Sequence, residues 1–206
     1  MLEANEFKNG FEKDKIDSQY ETSRILDSVN YSFDSLANTS EPNILVLGTG
    51  PYFPEAHLLS QWAEENKRNI VVDCVDREDI DQTYLDLIVN LRNSEYFKMN
   101  FFKANFDEYK YEKEYNLILM LRISDLSSID DEVFDKVTKS LQKNSHFIMS
   151  GGLTNSFNGF SLNNSGINLE KRHELEYSPR DVFKGYPGKN IALKFKIGRA
   201  SCRERV

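Results

Sequence analysis

Residues 43–62 read NILVLGTGPYFPEAHLLSQW: a short apolar run, a Gly-Thr-Gly-Pro turn and, at once, a helical pattern. Gly48 and Gly50 remove side chains where a ligand would lie against backbone, and a strand–turn–helix unit presents such a ligand at the carboxyl end of the strand. The next apolar run, NIVVDCVD, ends in Asp76, a carboxylate at the strand end where ribose hydroxyls are usually gripped. The two features together point to an adenosyl group. The spacing argues against a dinucleotide: G-x-G-x-x-G needs a third glycine, and Phe53 stands there, beside Pro54. Glu55 falls in the first turn of the following helix, where a carboxylate suits the helix dipole but repels a pyrophosphate. S-adenosylmethionine carries no phosphate and has a sulfonium cation, so an acidic first turn does not obstruct it.

Each of these residues also has a plainer reading. The glycines could simply permit a tight turn, and Asp76 could be a solvated member of the acidic stretch Asp76–Asp81 or a helix cap. Arg122 and Asp125 follow the apolar run YNLILMLRI. They could bind an acidic group or accept a proton, or could pair with each other at the surface. His57, His146 and His173 show no metal-ligand spacing, and no metal site is expected; His57, early in its helix, could border the cleft or pack half-buried. Cys74, inside IVVDCV, reads as a core thiol in a reducing compartment. The tyrosines of FDEYKYEKEY suit amphipathic loop packing better than base stacking, because the segment is acidic. Glu64 to Arg68 reads as a solvated helix end.

From Asn43 to Gly152 the chain resembles the Rossmann-like (class I) S-adenosylmethionine-dependent methyltransferases. LVLGTGP is similar to that family's glycine loop, which implies cofactor contacts at Gly48, Thr49 and Gly50. VDCVDRED is similar to the ribose-acid segment, which implies Asp76 with Arg77. FFKANF is similar to the adenine-contacting segment, with Asn105 as its polar group and Phe106 beside the ring; Asn105 could equally be a plain loop residue. YEKEYNLILML is similar to the strand whose end faces the methyl donor. The chain departs from the family in three places. Val46 stands where an acid is frequent, Tyr52 where a third glycine is common, and LRISDLSS has no Asn-Pro-Pro-Tyr or Asp-Pro-Pro-Tyr, so methylation of an adenine amine has no support. The function implied is methyl transfer to a small molecule or a protein- or peptide-borne nucleophile. The alternatives are a catalytically inactive binding or scaffold module of the same fold and, disfavoured by Phe53 and Glu55, an NAD-dependent oxidoreductase. No catalytic residue is assigned; Asp125 is the nearest candidate for a base.

The elements that must position these residues alternate. Apolar spacing predicts a helix over 18–36, broken by ANTSEP. Strands follow at 43–48, 69–76, 98–106, 115–123 and 145–152, with helices at 54–67, 79–92 and 130–143. Alternation with near-continuous apolar strands implies a doubly wound, mostly parallel sheet. Residues 151–166, rich in Gly, Asn and Ser, read as an irregular loop, 178–190 as turn-rich, and 167–177 with 191–196 as an antiparallel edge hairpin. One α/β domain over 18–196 is expected, preceded by a poorly ordered lead-in over 1–17.

The ends and the composition bound the rest. IGRASCRERV, residues 197–206, reverse-translates over all ten codons to ATCGGAAGAGCGTCGTGTAGGGAAAGAGTG, which resembles a short-read sequencing adaptor, so it is set aside as non-native. The authentic C-terminus is then expected to differ. Leaving that segment out shifts the formal charge from -7 to -9 and leaves Cys74 without a second cysteine. The acidity disfavours nucleic acid as a partner. At 206 residues with 39% hydrophobic and 29% charged residues, the chain suits one folded domain, and no apolar run reaches a membrane span. MLEANEFKNGFEKDK lacks the apolar stretch of a secretory signal, and a cytoplasmic location is expected.

Overall fold

The computed structural model describes residues 2–77, 88, 91, 94–123, 126, 129–153, 167–175 and 189–197. Most of the expected helix over 79–92, Asp125, the stretches 154–166 and 176–188, and residues 198–206 lie outside them. The described elements are α1 (Leu2–Ser28), a 3-10 turn (Phe33–Asn38), β1 (Asn43–Leu47), α2 (Pro54–Asn66), β2 (Ile70–Asp76), β3 (Phe97–Lys103), β4 (Tyr115–Ile123), α3 (Asp131–Lys139), β5 (Leu141–Leu153), β6 (Ile167–Leu175) and β7 (Lys189–Ile197). The strands form one seven-stranded sheet in the order β3-β2-β1-β4-β5-β7-β6. The pairs β1–β2, β1–β4, β2–β3 and β4–β5 are parallel, and β5–β7 and β6–β7 are antiparallel. The expected α/β architecture with an antiparallel edge pair is therefore the observed one.

The strands are apolar throughout because both faces are covered. On one face Ile44, Val46, Val72, Cys74, Leu117 and Leu119 pack with Leu26 of α1, Val29 just beyond it, and Leu59 and Trp62 of α2. On the other, Leu45, Leu47, Val75, Ile118, Met120, Phe147 and Phe195 pack with Val133, Phe134 and Val137 of α3. The period-2 alternation of strand side chains feeds these two cores. Asp130 caps α3 by accepting from the Val133 N–H at 2.8 Å, so the helix begins one residue into the acidic run.

Several boundaries differ from the expected ones. α1 starts at Leu2 and ends at Ser28, so helical conformation takes in most of segment 1–17. Asn30 turns left-handed (φ 54°), and the Phe33–Leu36 spacing that looks like continued α-helix belongs to a separate 3-10 turn. α3 stops at Lys139 and β5 begins at Leu141, several residues before the expected strand start.

At β1 the chain changes the side on which it adds parallel strands. It runs outward through β2 and β3, then returns to lay β4 on the other side of β1. The carboxyl ends of β1 and β4 consequently diverge at a switch point, where an open α/β sheet binds ligands. The Gly48–Gly50 turn leaves β1 there.

Candidate functional site

Three left-handed residues shape the turn: Gly48 (φ 73°), Gly50 (φ 61°) and Phe53 (φ 47°). Glycine accepts this conformation freely, whereas Phe53 is held in it by complete burial. Phe53 cannot cap α2 with its side chain, and Pro54 follows at a helix-start position where the missing N–H is harmless. The Gly48 N–H donates to Val75 O at 2.8 Å, and the Gly50 N–H donates to Asp76 Oδ2 at 2.9 Å. The Asp76 carboxylate thus faces the glycine turn and clamps it to the end of β2.

The other expected residues divide. A side chain at position 48 would meet Ile123 Cδ1 at 3.1 Å and Phe106 Cζ at 3.4 Å, so Phe106 and the end of β4 close on Gly48 as an apolar wall. Thr49 is 1% exposed, and its hydroxyl is buried beside the Cys74 thiol, whose pKa it holds down against the larger effect of burial. Gly48, Thr49, Gly50, Asp76 and Phe106 are therefore gathered at one place. Arg77 is exposed on the bend after β2. Asn105 is exposed, its Nδ2 donates to Glu108 Oε2 at 3.0 Å, and its carbonyl accepts from the N–H of Glu108 and Tyr109. Its amide serves the local turn.

Sequence reasoning missed the partnership at the centre of the site. The Arg122 Nη2 donates to Glu55 Oε1 at 2.7 Å, with the Glu55 side chain 1% and the Arg122 side chain 26% exposed. Arg122 thus pairs across the sheet end with Glu55, and Asp125 lies outside the described residues. The geometry comes from a bulge: the β4–β5 register shifts between Met120 and Ile123, Arg122 is left-handed (φ 59°), and its N–H donates to Ser150 Oγ at 3.0 Å. Bulges re-aim side chains in this way. Burial pushes the Glu55 carboxyl up, and the Arg122 charge opposes that. Glu55 Oε2 and Arg122 Nε are both buried without a hydrogen-bond partner.

Glu55 also answers a departure noted above. Val46 fills the position where the resemblance expects an acid, and its register partner on β2 is Cys74. Val46 and Cys74 share one core face, and Glu55 lies close enough to Cys74 for its charge, second to burial itself, to push the thiol up. A buried carboxylate therefore reaches this face from α2 instead of from β1. The same shift keeps Cys74 a neutral core thiol.

Tyr52, in place of a third glycine, packs on Phe11 of α1 with ring centroids 5.4 Å apart, and its hydroxyl donates to Asp14 Oδ2 at 3.4 Å. The first half of α1 thereby packs beside the turn at Tyr52. His57, one helical turn into α2, has its pKa lowered to about 4, first by burial and then by Lys15, and its Nε2 is buried without a partner. A second buried acid, Asp73, is satisfied by Lys113 Nζ (2.8 Å), Asn100 Nδ2 (2.8 Å) and the Tyr115 hydroxyl (3.0 Å). Tyr109, Tyr111 and Tyr115 pack on the α3 side of the sheet, as expected of an amphipathic loop. Among the described residues no group of three or more His, Cys, Asp or Glu is placed to hold a metal, and no helix is long and apolar enough to cross a membrane.

No protein-family model and no curated protein sequence matches the chain. Solved structures do match, and they show the fold. The N-methyltransferase NodS from Bradyrhizobium japonicum WM9, solved with S-adenosyl-L-homocysteine, aligns at TM-score 0.55 and 9% identity over 86% of each chain. Coclaurine N-methyltransferase, bound to N-methylheliamine and S-adenosylhomocysteine, aligns at TM-score 0.55 and 11% identity over 80% of this chain and 70% of that one. The [4+2]-cyclase SpnF aligns at TM-score 0.59 and 9% identity over 87% of this chain and 80% of that one. The fold of this chain is that of the Rossmann-like, class I S-adenosylmethionine-dependent methyltransferases.

Proposed function

We propose that the chain is an S-adenosylmethionine-dependent methyltransferase acting on a small-molecule or peptide nucleophile. One observation carries the reading. At the switch point of this fold, the Asp76 carboxylate is hydrogen-bonded into the Gly48–Gly50 turn, where a ribose diol would meet it. The residues fit the cofactor. The turn offers backbone without side chains, Phe106 and Ile123 form an apolar wall, and buried Glu55 discourages a pyrophosphate. When bound, the sulfonium supplies an activated methyl group. The task left to the chain is to bind, orient and keep water away. The N-methylheliamine on coclaurine N-methyltransferase supports a small-molecule acceptor.

Calorimetry with S-adenosylmethionine, S-adenosylhomocysteine and NAD tests the reading. Binding of the first two and not NAD is expected, with Asp76→Ala weakening both by about tenfold or more, the scale of a lost hydrogen bond to a charged group. Absence of binding by either, or full affinity in Asp76→Ala, would refute it.

A second reading has one observation in its favour. At the end of β4, the described charged side chain is a cation tied to an acid, Arg122 to Glu55, and not a base. The same fold also serves a [4+2]-cyclase. A protein that binds the cofactor without transferring its methyl would show the calorimetric result above and no release of S-adenosylhomocysteine with any acceptor.

A further inference from the structure

Among the described residues the two most exposed large apolar side chains, Tyr20 (65%) and Ile16 (59%), lie one turn apart on α1. A single exposed apolar residue needs no explanation. Here the neighbouring positions form a pattern. At about 100° per residue, Lys13, Ile16, Arg24 and Asp27 all fall within about 40° of Tyr20 around the helix axis. All of them are exposed, while Phe11 and Ile25, on the opposite side of the helix, belong to the core. The outward stripe Lys13, Ile16, Tyr20, Arg24, Asp27 has the same spacing read in either direction from Tyr20.

Such a stripe fits an antiparallel copy of itself. With a two-fold axis at Tyr20, Lys13 meets the partner's Asp27, Ile16 meets the aliphatic stem of the partner's Arg24, and the two Tyr20 rings meet on the axis. Symmetry forms the Lys–Asp pair twice. A parallel copy in the same register would instead set lysine against lysine and aspartate against aspartate. Asp27 gains a second benefit: it stands in the last turn of α1, where the helix dipole disfavours an acid, and a lysine offsets that. A lipid surface fits less well, because an acid stands in the stripe with the two cations. We propose that α1 is a self-association surface through which two copies of the chain pair antiparallel about Tyr20. One helical stripe buries less area than a standard interface, so the dimer is weak and depends on concentration. The inference is independent of the methyltransferase reading.

Sedimentation velocity of the whole chain, with a reductant present to exclude cysteine cross-links, tests it from about 5 µM to about 500 µM, the range that a weak interface spans. Wild-type protein should pass from monomer toward dimer across that range. Lys13→Asp and Asp27→Lys should each weaken the dimer about tenfold or more, because two attractive pairs become two repulsive ones. Mixed in equal amounts, these two variants should pair with each other within about threefold of the wild-type affinity, since the acids of one then face the lysines of the other. Tyr20→Asp should abolish the dimer. These three positions are exposed, so the circular-dichroism spectrum should stay that of wild type in every variant. Protein that stays monomeric throughout, or a dimer that Tyr20→Asp leaves intact, overturns the proposal. Monomeric protein that binds phosphatidylserine vesicles overturns it in favour of a lipid surface. A dimer that the single variants weaken and their mixture does not restore overturns the antiparallel pairing.

Discussion

Arg122→Met isolates what the buried pair contributes. The substitution keeps a long side chain and removes the cation, which leaves Glu55, 1% exposed, as an uncompensated buried acid. Breaking a buried pair costs about 3–5 kcal/mol when the remaining group stays charged. Arg122 is 26% exposed, so water reaches its end of the pair and the lower limit, about 3 kcal/mol, applies. For a chain of this size that is a fall in melting temperature of about 6–12 °C. The penalty depends on pH in a definite direction. Burial already raises the folded-state pKa of Glu55 above its ordinary value of 4.5, and the Arg122 charge holds it down. An acid with a raised folded-state pKa contributes stability at low pH and loses it as pH climbs toward that value, because the unfolded chain ionises first. Without Arg122 the folded-state pKa rises further, and the loss continues to higher pH. The difference between wild type and variant should therefore be smallest at low pH, about 1 kcal/mol, where Glu55 is protonated and only a hydrogen bond is lost. It should grow toward about 3 kcal/mol as pH rises and Glu55 ionises. Urea unfolding at half-unit pH steps measures it, and Glu55→Gln/Arg122→Met should abolish the slope. A penalty that stays flat, or shrinks as pH rises, would refute the buried-pair reasoning.

Three other tests address the backbone and His57. A side chain at Gly151 would lie 2.1 Å from Ile123 O and 3.1 Å from Leu126 Cγ, so Gly151→Ala should destabilise by about 3 kcal/mol in chemical unfolding, whereas Gly10→Ala, with open space in α1, should be neutral or stabilising by up to about 1 kcal/mol. Gly48→Ala meets Ile123 and Phe106 in a left-handed conformation, whereas Gly50→Ala meets only the conformational strain; the first should lose about 2 kcal/mol and the second about 1 kcal/mol, and equal losses would dispute the wall at Gly48. His57 should titrate by NMR at about 4, its burial favouring the neutral ring, so the stability it contributes is present above its ordinary 6.5 and lost as pH falls toward 4; an ordinary titration near 6.5 would contradict its burial under α1.

The strands were legible because strands buried on both sides must be apolar along their whole length. YNLILMLRI is β4 residue for residue, and the antiparallel edge pair follows from the texture of the last third. The helix boundaries were less so. At Asn30 the reversal depends on a single left-handed residue, and apolar spacing continues through it from Val29 to Phe33 and Leu36. The glycine turn and its acid were visible as residue types at strand ends, and the Gly50–Asp76 bond joins them. The Glu55–Arg122 bond was not visible, for two physical reasons. Its partners are 67 positions apart, and the strand period would send Arg122 to the α3 face with Ile118 and Met120. The bulge breaks that period, and nothing in LRISDLSS announces a bulge.

The inward charges then sort ligands by sign. Glu55 and Asp76 stand against Arg122, with the start of α2 adding a partial positive charge of about one half. The sum stays slightly negative. A doubly charged pyrophosphate placed on this turn would face two carboxylates at close range. It would also have to compete with Glu55 for Arg122, in a setting where burial strengthens every such term. An adenosyl sulfonium with a zwitterionic tail carries a net positive charge and no phosphate, and it requires neither carboxylate to be neutralised. The missing third glycine, the acid in the first turn of α2 and the valine at position 46 are on this view one adjustment. A buried acid stands on α2 where β1 carries a valine, and it is paired with the cation that the bulge in β4 delivers.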